Sequence, residues 1–167
     1  MKILYIILAL FIANSLFAQK KLPEIKIKDI KGREISTKDL IDSEKPVVIS
    51  FWATWCKPCV IELPYFEKIS EKYENKKVKV ILVSLDFSDE LESRLKPFLK
   101  KKGIKSEVLL LNESDPNTFI NKVSTKWSGA IPATYIYKGK NIEFFEGSFT
   151  YGELESIIKQ KLKENEE

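Results

Sequence analysis

Seven residues, Val47 to Ala53 (VVISFWA), form a nearly unbroken apolar run that leads directly into Thr54-Trp55-Cys56-Lys57-Pro58-Cys59. Such a run reads as a strand buried on both faces. From about Pro58 to Tyr73 the pattern becomes helical, with Leu63, Phe66, Ile69 and Tyr73 on one side. Both cysteines of the chain therefore sit where a buried strand gives way to a helix. Any fold for this chain has to build that junction.

The rest of the chain alternates in the same way. Val78 to Leu85 reads as a second buried strand. Ser88 to Lys102 reads as a helix through Leu91, Leu95, Phe98 and Leu99, closed by three lysines and Gly103. Pro97 lies inside it, so a kink or a break is expected. Val108 to Leu111 is a short strand, and Asp115-Pro116 opens a helix as cap and first-turn proline. Thr134 to Lys138 and Ile142 to Glu146 form a hairpin through Gly139. A capping box, Thr150 to Glu153, starts a last helix expected to bury Leu154, Ile157, Ile158 and Leu162. Upstream, Ile25 and Ile27 alternate with charges, and Gly32 separates them from Glu34-Ile35-Ser36, which suggests a small edge hairpin. The expectation is a mixed-sheet α/β layer fold in one domain, residues 19–167.

Residues 1–18 (MKILYIILALFIANSLFA) read as a secretory signal peptide. Lys2 precedes an apolar run from Ile3 to Ala13, and small residues follow a polar break at Asn14 and Ser15. Cleavage after Ala18 is expected, with Ala13-Asn14-Ser15 as a second site. The apolar run falls short of the roughly 18–20 residues of a spanning helix, so an uncleaved anchor is the rival reading. Either way the chain would work outside the reducing cytosol, in the periplasm or as a secreted protein.

Composition removes several function classes. The chain has 28 basic and 24 acidic residues, a net charge of +4 that is too mild to argue for nucleic acid. It has no histidine, and its one methionine is Met1. Ser-His-Asp and Cys-His catalysis, zinc sites with His ligands and haem with a His axial ligand are thereby excluded within the chain.

What remains is the chemistry of Cys56 and Cys59. At a helix N-terminus, unpaired amides and the helix dipole stabilise a Cys56 thiolate. Cys59, one turn later, is placed to attack a mixed disulfide formed at Cys56. Pro58 needs no amide partner in the first turn, and Lys57 adds a positive charge to the active-site loop or is merely a solvated lysine. A structural disulfide across so short a loop would add little stability. A zinc site would need two more ligands, and no cysteine or histidine is left to supply them. No cofactor beyond a redox-active Cys56–Cys59 disulfide, and no metal, is expected.

The segment Ser50-Phe51-Trp52-Ala53-Thr54-Trp55-Cys56-Lys57-Pro58-Cys59 resembles the active-site segment of thioredoxin-fold proteins, and most closely that of the exported TlpA/ResA-like thiol-disulfide oxidoreductases. The resemblance runs from about Leu22 to Leu162. It implies a thioredoxin fold: a central mixed sheet flanked by helices, with an N-terminal β-hairpin extension and a helical insertion. Pro64 matches the proline within the active-site helix, and Ile131-Pro132 matches the cis-proline loop that lies against the cysteines. Ile131 would then present its backbone to substrate, and Trp55 would shield Cys56 and offer an apolar surface. Trp52 and Trp127 are expected in the core. Glu62 matches an acidic residue that the ResA-like branch places near the site, where it would take the proton from Cys59; its competing reading is a solvated helix glutamate. Thioredoxins proper carry an aspartate where this chain has Ser50.

The resemblance implies a reductase of disulfides in exported proteins, apocytochrome c among them, fed by a membrane electron donor. The alternatives are a non-catalytic Cu(I)-binding or protein-binding module. A peroxidase of the peroxiredoxin type is disfavoured, because that family has threonine three residues before its reactive cysteine and Ala53 stands there.

Overall fold

The apolar run before the cysteines becomes the middle of a seven-stranded mixed sheet. This is a computed structural model, and it describes residues 24–40, 45–113, 115–139 and 141–163. The expected signal segment, 1–18, lies outside the described residues. In chain order the elements are β1 (Lys26–Asp29), β2 (Glu34–Ser36), β3 (Val47–Trp52), α1 (Lys57–Lys72), β4 (Lys79–Ser84), α2 (Lys96–Lys102), β5 (Glu107–Leu111), α3 (Pro116–Val123), β6 (Ala133–Lys138), β7 (Asn141–Glu146) and α4 (Tyr151–Lys163).

Across the sheet the order is β2-β1-β5-β4-β3-β6-β7. Strands β3, β4 and β5 run parallel, joined by crossovers that carry α1 and α2. The outer pairs are antiparallel: β1 with β2 and β5 on one side, β3 with β6 and β6 with β7 on the other. The N-terminal hairpin thus extends the sheet through β1, and helices flank β5. This is the expected thioredoxin-type sheet with its additions.

Every residue of β3 is buried, as a strand covered on both faces must be. Alternation along the strand divides the core in two. Val48 and Trp52 face α1 and α4, meeting Leu63, Phe66, Ile69, Leu154 and Ile158. Val47, Ile49 and Phe51 face the other way, toward Phe119, Val123 and Trp127. The Trp127 ring lies tilted 4.8 Å from the Phe51 ring and meets that of Phe119 edge-on at 5.4 Å. Both Trp52 and Trp127 are core residues, as expected.

One element breaks as expected, and another departs from the sequence reading. Residues 88–102 are interrupted just before Pro97: a 3-10 turn (Ser88–Glu90) and a π turn (Leu91–Leu95) precede α2. Pro97 then falls in the first turn of α2, where its missing N–H costs nothing. In α4 the buried face is Leu154, Ile158 and Lys161, while Ile157 and Leu162 are only half-buried. Lys161 continues the four-and-three spacing from Leu154 and Ile158, so geometry outranks hydrophobicity at that position. Its ammonium pairs with Glu143 on β7, and its carbonyl accepts from Lys138 Nζ on β6. The capping box forms as read: the Glu153 carboxylate accepts the Thr150 N–H at 2.8 Å, and Thr150 Oγ1 accepts the Glu153 N–H at 3.3 Å. Among the described residues, no helix is long and apolar enough to cross a membrane.

Candidate active site

Strand β3 ends against α1, and the turn between them carries the chemistry. Cys56 N–H donates to the Ala53 carbonyl at 3.1 Å, which closes the turn. Cys56 is the N-cap of α1, and its Sγ accepts the Cys59 N–H at 3.3 Å. A sulfur in this place receives a helix amide and the positive end of the helix dipole. No acidic residue in the first turn offsets that field. Cys56 and Cys59 are joined in a disulfide with their Cα atoms 5.3 Å apart. Cys59 is wholly buried, and Cys56 is 6 % exposed, so an incoming group meets Cys56 first. Lys57 and Pro58 are exposed at the rim.

The opposite wall is the loop before β6. Its Ile131–Pro132 peptide bond is cis, as expected, and the Ile131 carbonyl oxygen lies 3.7 Å from Cys56 Sγ. Side chains brace this loop from behind. Trp127 Nε1 donates to the Ala130 carbonyl at 2.8 Å, and the Glu146 carboxylate accepts both the N–H and the hydroxyl of Ser128. The Gly147 N–H donates to the Pro132 carbonyl at 2.9 Å. Gly129 has φ +96°, and a Cβ there would come within 2.9 Å of the Ile120 side chain, so the loop favours glycine twice over.

Glu62 is not a solvated helix residue. It is 1 % exposed, three residues beyond Cys59 and on the same buried face of α1. Its Oε2 accepts the Phe149 N–H at 3.0 Å, while Oε1 has no partner among the described residues. Burial pushes the carboxyl up to about 7, against the smaller opposing effect of the Phe149 hydrogen bond. Glu62 is thus a carboxyl that changes charge near neutral pH, one helical turn along α1 from the buried Cys59.

Trp55 is 57 % exposed beside the nearly buried Cys56, in keeping with an apolar surface offered to substrate. The sequence reading missed Asp86. Its buried carboxylate accepts the Thr54 N–H at 3.0 Å and hydroxyl at 2.6 Å, and the Ser84 hydroxyl at 2.6 Å. It thereby ties the cysteine turn to the end of β4. The available signal was an acidic residue directly after a buried strand, in the loop neighbouring the cysteine turn. Phe149, whose amide holds Glu62, left no signal, because a backbone donor is not written in residue type.

The arrangement can carry out thiol-disulfide exchange: one accessible sulfur at a helix N-terminus, a buried resolving sulfur, a carboxyl titrating near neutrality and a fixed carbonyl opposite. The position three before Cys56, where a peroxidase of the peroxiredoxin type has threonine, is the buried Ala53, and the Thr54 hydroxyl one place later is engaged by Asp86.

Comparison with known proteins agrees. The AhpC/TSA family model matches residues 18–143. The chain is 34% identical over 143 residues to the thiol-disulfide oxidoreductase ResA of Bacillus cereus, covering 84% of this chain and 76% of that one. The solution structure of a thioredoxin-like protein from Porphyromonas gingivalis superposes with a TM-score of 0.68 at 30% identity, covering 86% and 92% of the two chains. A thioredoxin-family thiol:disulfide interchange protein from Chlorobium tepidum shares the fold, with a TM-score of 0.66 at 20% identity over 84% and 94%. With this fold and this cysteine couple, the chain belongs to the AhpC/TSA family and, within the thioredoxin fold, to the ResA-like thiol-disulfide oxidoreductases.

Proposed function

We propose that the chain is an exported reductase of protein disulfides, supplied with electrons by a membrane donor and acting on substrates such as apocytochrome c. Export rests on the signal-like residues 1–18. The observation that carries the redox reading is the placement of Cys56 at the α1 N-cap, opposite the Ile131 carbonyl, with Cys59 buried behind it.

The cycle follows from those positions. The reduced Cys56 thiolate attacks one sulfur of a substrate disulfide, and the other substrate sulfur leaves as a thiolate. Glu62 takes the Cys59 proton. The Cys59 thiolate then attacks Cys56 Sγ, which closes the Cys56–Cys59 disulfide and releases the second substrate sulfur. Two electrons pass to the substrate, and the donor restores the dithiol. Ile131 and Pro132 align the extended substrate, Trp55 covers its apolar part, and Lys57 and Pro58 shape the rim. The redox-active cysteine pair serves in place of any bound cofactor.

Insulin reduction with dithiothreitol as electron source tests this reading. The wild-type chain is expected to accelerate precipitation of the insulin B chain, and Cys56→Ser to abolish the acceleration. Equal rates with and without Cys56 would overturn the catalytic reading.

A further inference from the structure

Phe87 is a large apolar side chain held out in water. It is 70 % exposed, whereas every other phenylalanine among the described residues is buried or half-buried. Its backbone is fixed on both sides. The Leu85 N–H donates to the Trp52 carbonyl at 2.7 Å, the Asp86 N–H donates to Ser84 Oγ at 3.1 Å, and the Phe87 carbonyl accepts the Glu90 N–H at 3.0 Å. These bonds fix the main chain from which the ring projects.

The position is as informative as the exposure. Phe87 directly follows Asp86, and Trp55 directly follows Thr54, so the 2.6 Å Asp86–Thr54 bond joins the two residues that precede these exposed rings. Strands β4 and β6 flank β3 in the sheet. The Phe87 loop, which follows β4, and the Ile131 loop, which precedes β6, therefore lie on either side of Cys56. Single exposed apolar residues are common and need no explanation. Two exposed aromatics on adjoining loops, tied together by the Asp86–Thr54 bond at the end of the sheet that carries Cys56, offer apolar surface on a fixed backbone, which loses little main-chain entropy on binding.

We propose that Phe87, together with Trp55, binds an apolar side chain flanking the attacked cysteine of a polypeptide substrate, and so selects disulfides in segments that have not completed folding. A folded protein hides such flanking residues, while an unfolded or extended one exposes them. The inference rests on the oxidoreductase reading and specifies its substrate class.

Two peptides test it, each closed by one internal disulfide, with leucine and phenylalanine flanking the cysteines in the first and serine and asparagine in the second. For the wild type, kcat/KM should favour the apolar-flanked peptide. Phe87→Ala should cut that preference by about tenfold, mainly through KM, while the Cys56–Cys59 potential stays where it was. Phe87→Leu should restore most of the preference.

An equal loss on both peptides, or an unaltered preference, would overturn the proposal and leave the oxidoreductase reading standing. A concentration-dependent dimer in sedimentation, abolished by Phe87→Ala with the preference intact, would assign the patch to a second copy of the chain and also overturn it. Failure of the wild type to reduce either peptide would remove both readings together.

Discussion

At Glu62 a carboxyl group has lost its water and kept a single hydrogen bond, from the Phe149 amide. Its pKa lies at about 7, raised from an ordinary 4.5 by burial. Between those values the folded protein holds a proton that the unfolded chain has released. Stability is therefore full below about pH 4.5 and declines as pH rises through 7, by roughly 3 kcal/mol at the limit. Urea denaturation of the oxidised protein should show this decline between pH 5 and 8. Glu62→Gln keeps an acceptor for Phe149 and should flatten the curve, ending more stable than wild type at pH 8. A wild-type curve that rises across this window would contradict the burial argument. The same substitution should slow release of substrate from the mixed disulfide. Cys59→Ser should stop the reaction there, leaving a Cys56–substrate adduct visible on a non-reducing gel. Glu62 was singled out by its match to the acidic residue that the ResA-like branch carries three positions after the second cysteine. Whether it was solvated or buried was not legible, because that depends on where α4 and the 147–150 loop come to rest.

Elements were legible where local chemistry specifies them. The β3–α1 junction, the Asp115 cap and the Thr150–Glu153 capping box follow from short-range patterns, whereas the cis-proline loop was legible only through the resemblance of Ile131-Pro132 to the family's loop. The failures came where a tertiary partner decides. Nothing local announces that Lys161 will be buried, since its partner Glu143 lies on another element. Lys161→Ala should cost about 3 kcal/mol, chiefly by leaving a void, because Glu143 is 36 % exposed and is taken up by water, whereas Lys161→Met with Glu143→Gln should stay within about 1 kcal/mol of wild type. Chemical denaturation distinguishes the two, and equal losses would contradict a paired, packed lysine. Asp86 was overlooked for the same reason: its carboxylate is defined by hydrogen bonds to Thr54 and Ser84 rather than by a motif. Asp86→Ala should destabilise the fold by about 2–3 kcal/mol and slow disulfide exchange at Cys56, because the cysteine turn loses its tie to β4. A variant with wild-type exchange kinetics would show that the tie does not position the site.

Across the whole molecule, the redox state of two sulfurs and the stability of the fold are linked. A disulfide spanning Cys56 to Cys59 constrains the unfolded chain only slightly, contributing about 2 kcal/mol by loop entropy. Any larger gap between oxidised and reduced stability must come from how the site solvates two thiols against one disulfide. A reductase requires the oxidised form to be the more stable fold, since that difference drives electrons outward to the substrate. The central sheet makes this possible by burying Cys59 completely while leaving Cys56 within reach. The equilibrium potential of the Cys56–Cys59 couple, titrated against dithiothreitol and glutathione, reads the balance directly. The account predicts a value near or below about −250 mV, whereas a value near about −120 to −180 mV, or a pair that fails to cycle at all, would contradict it.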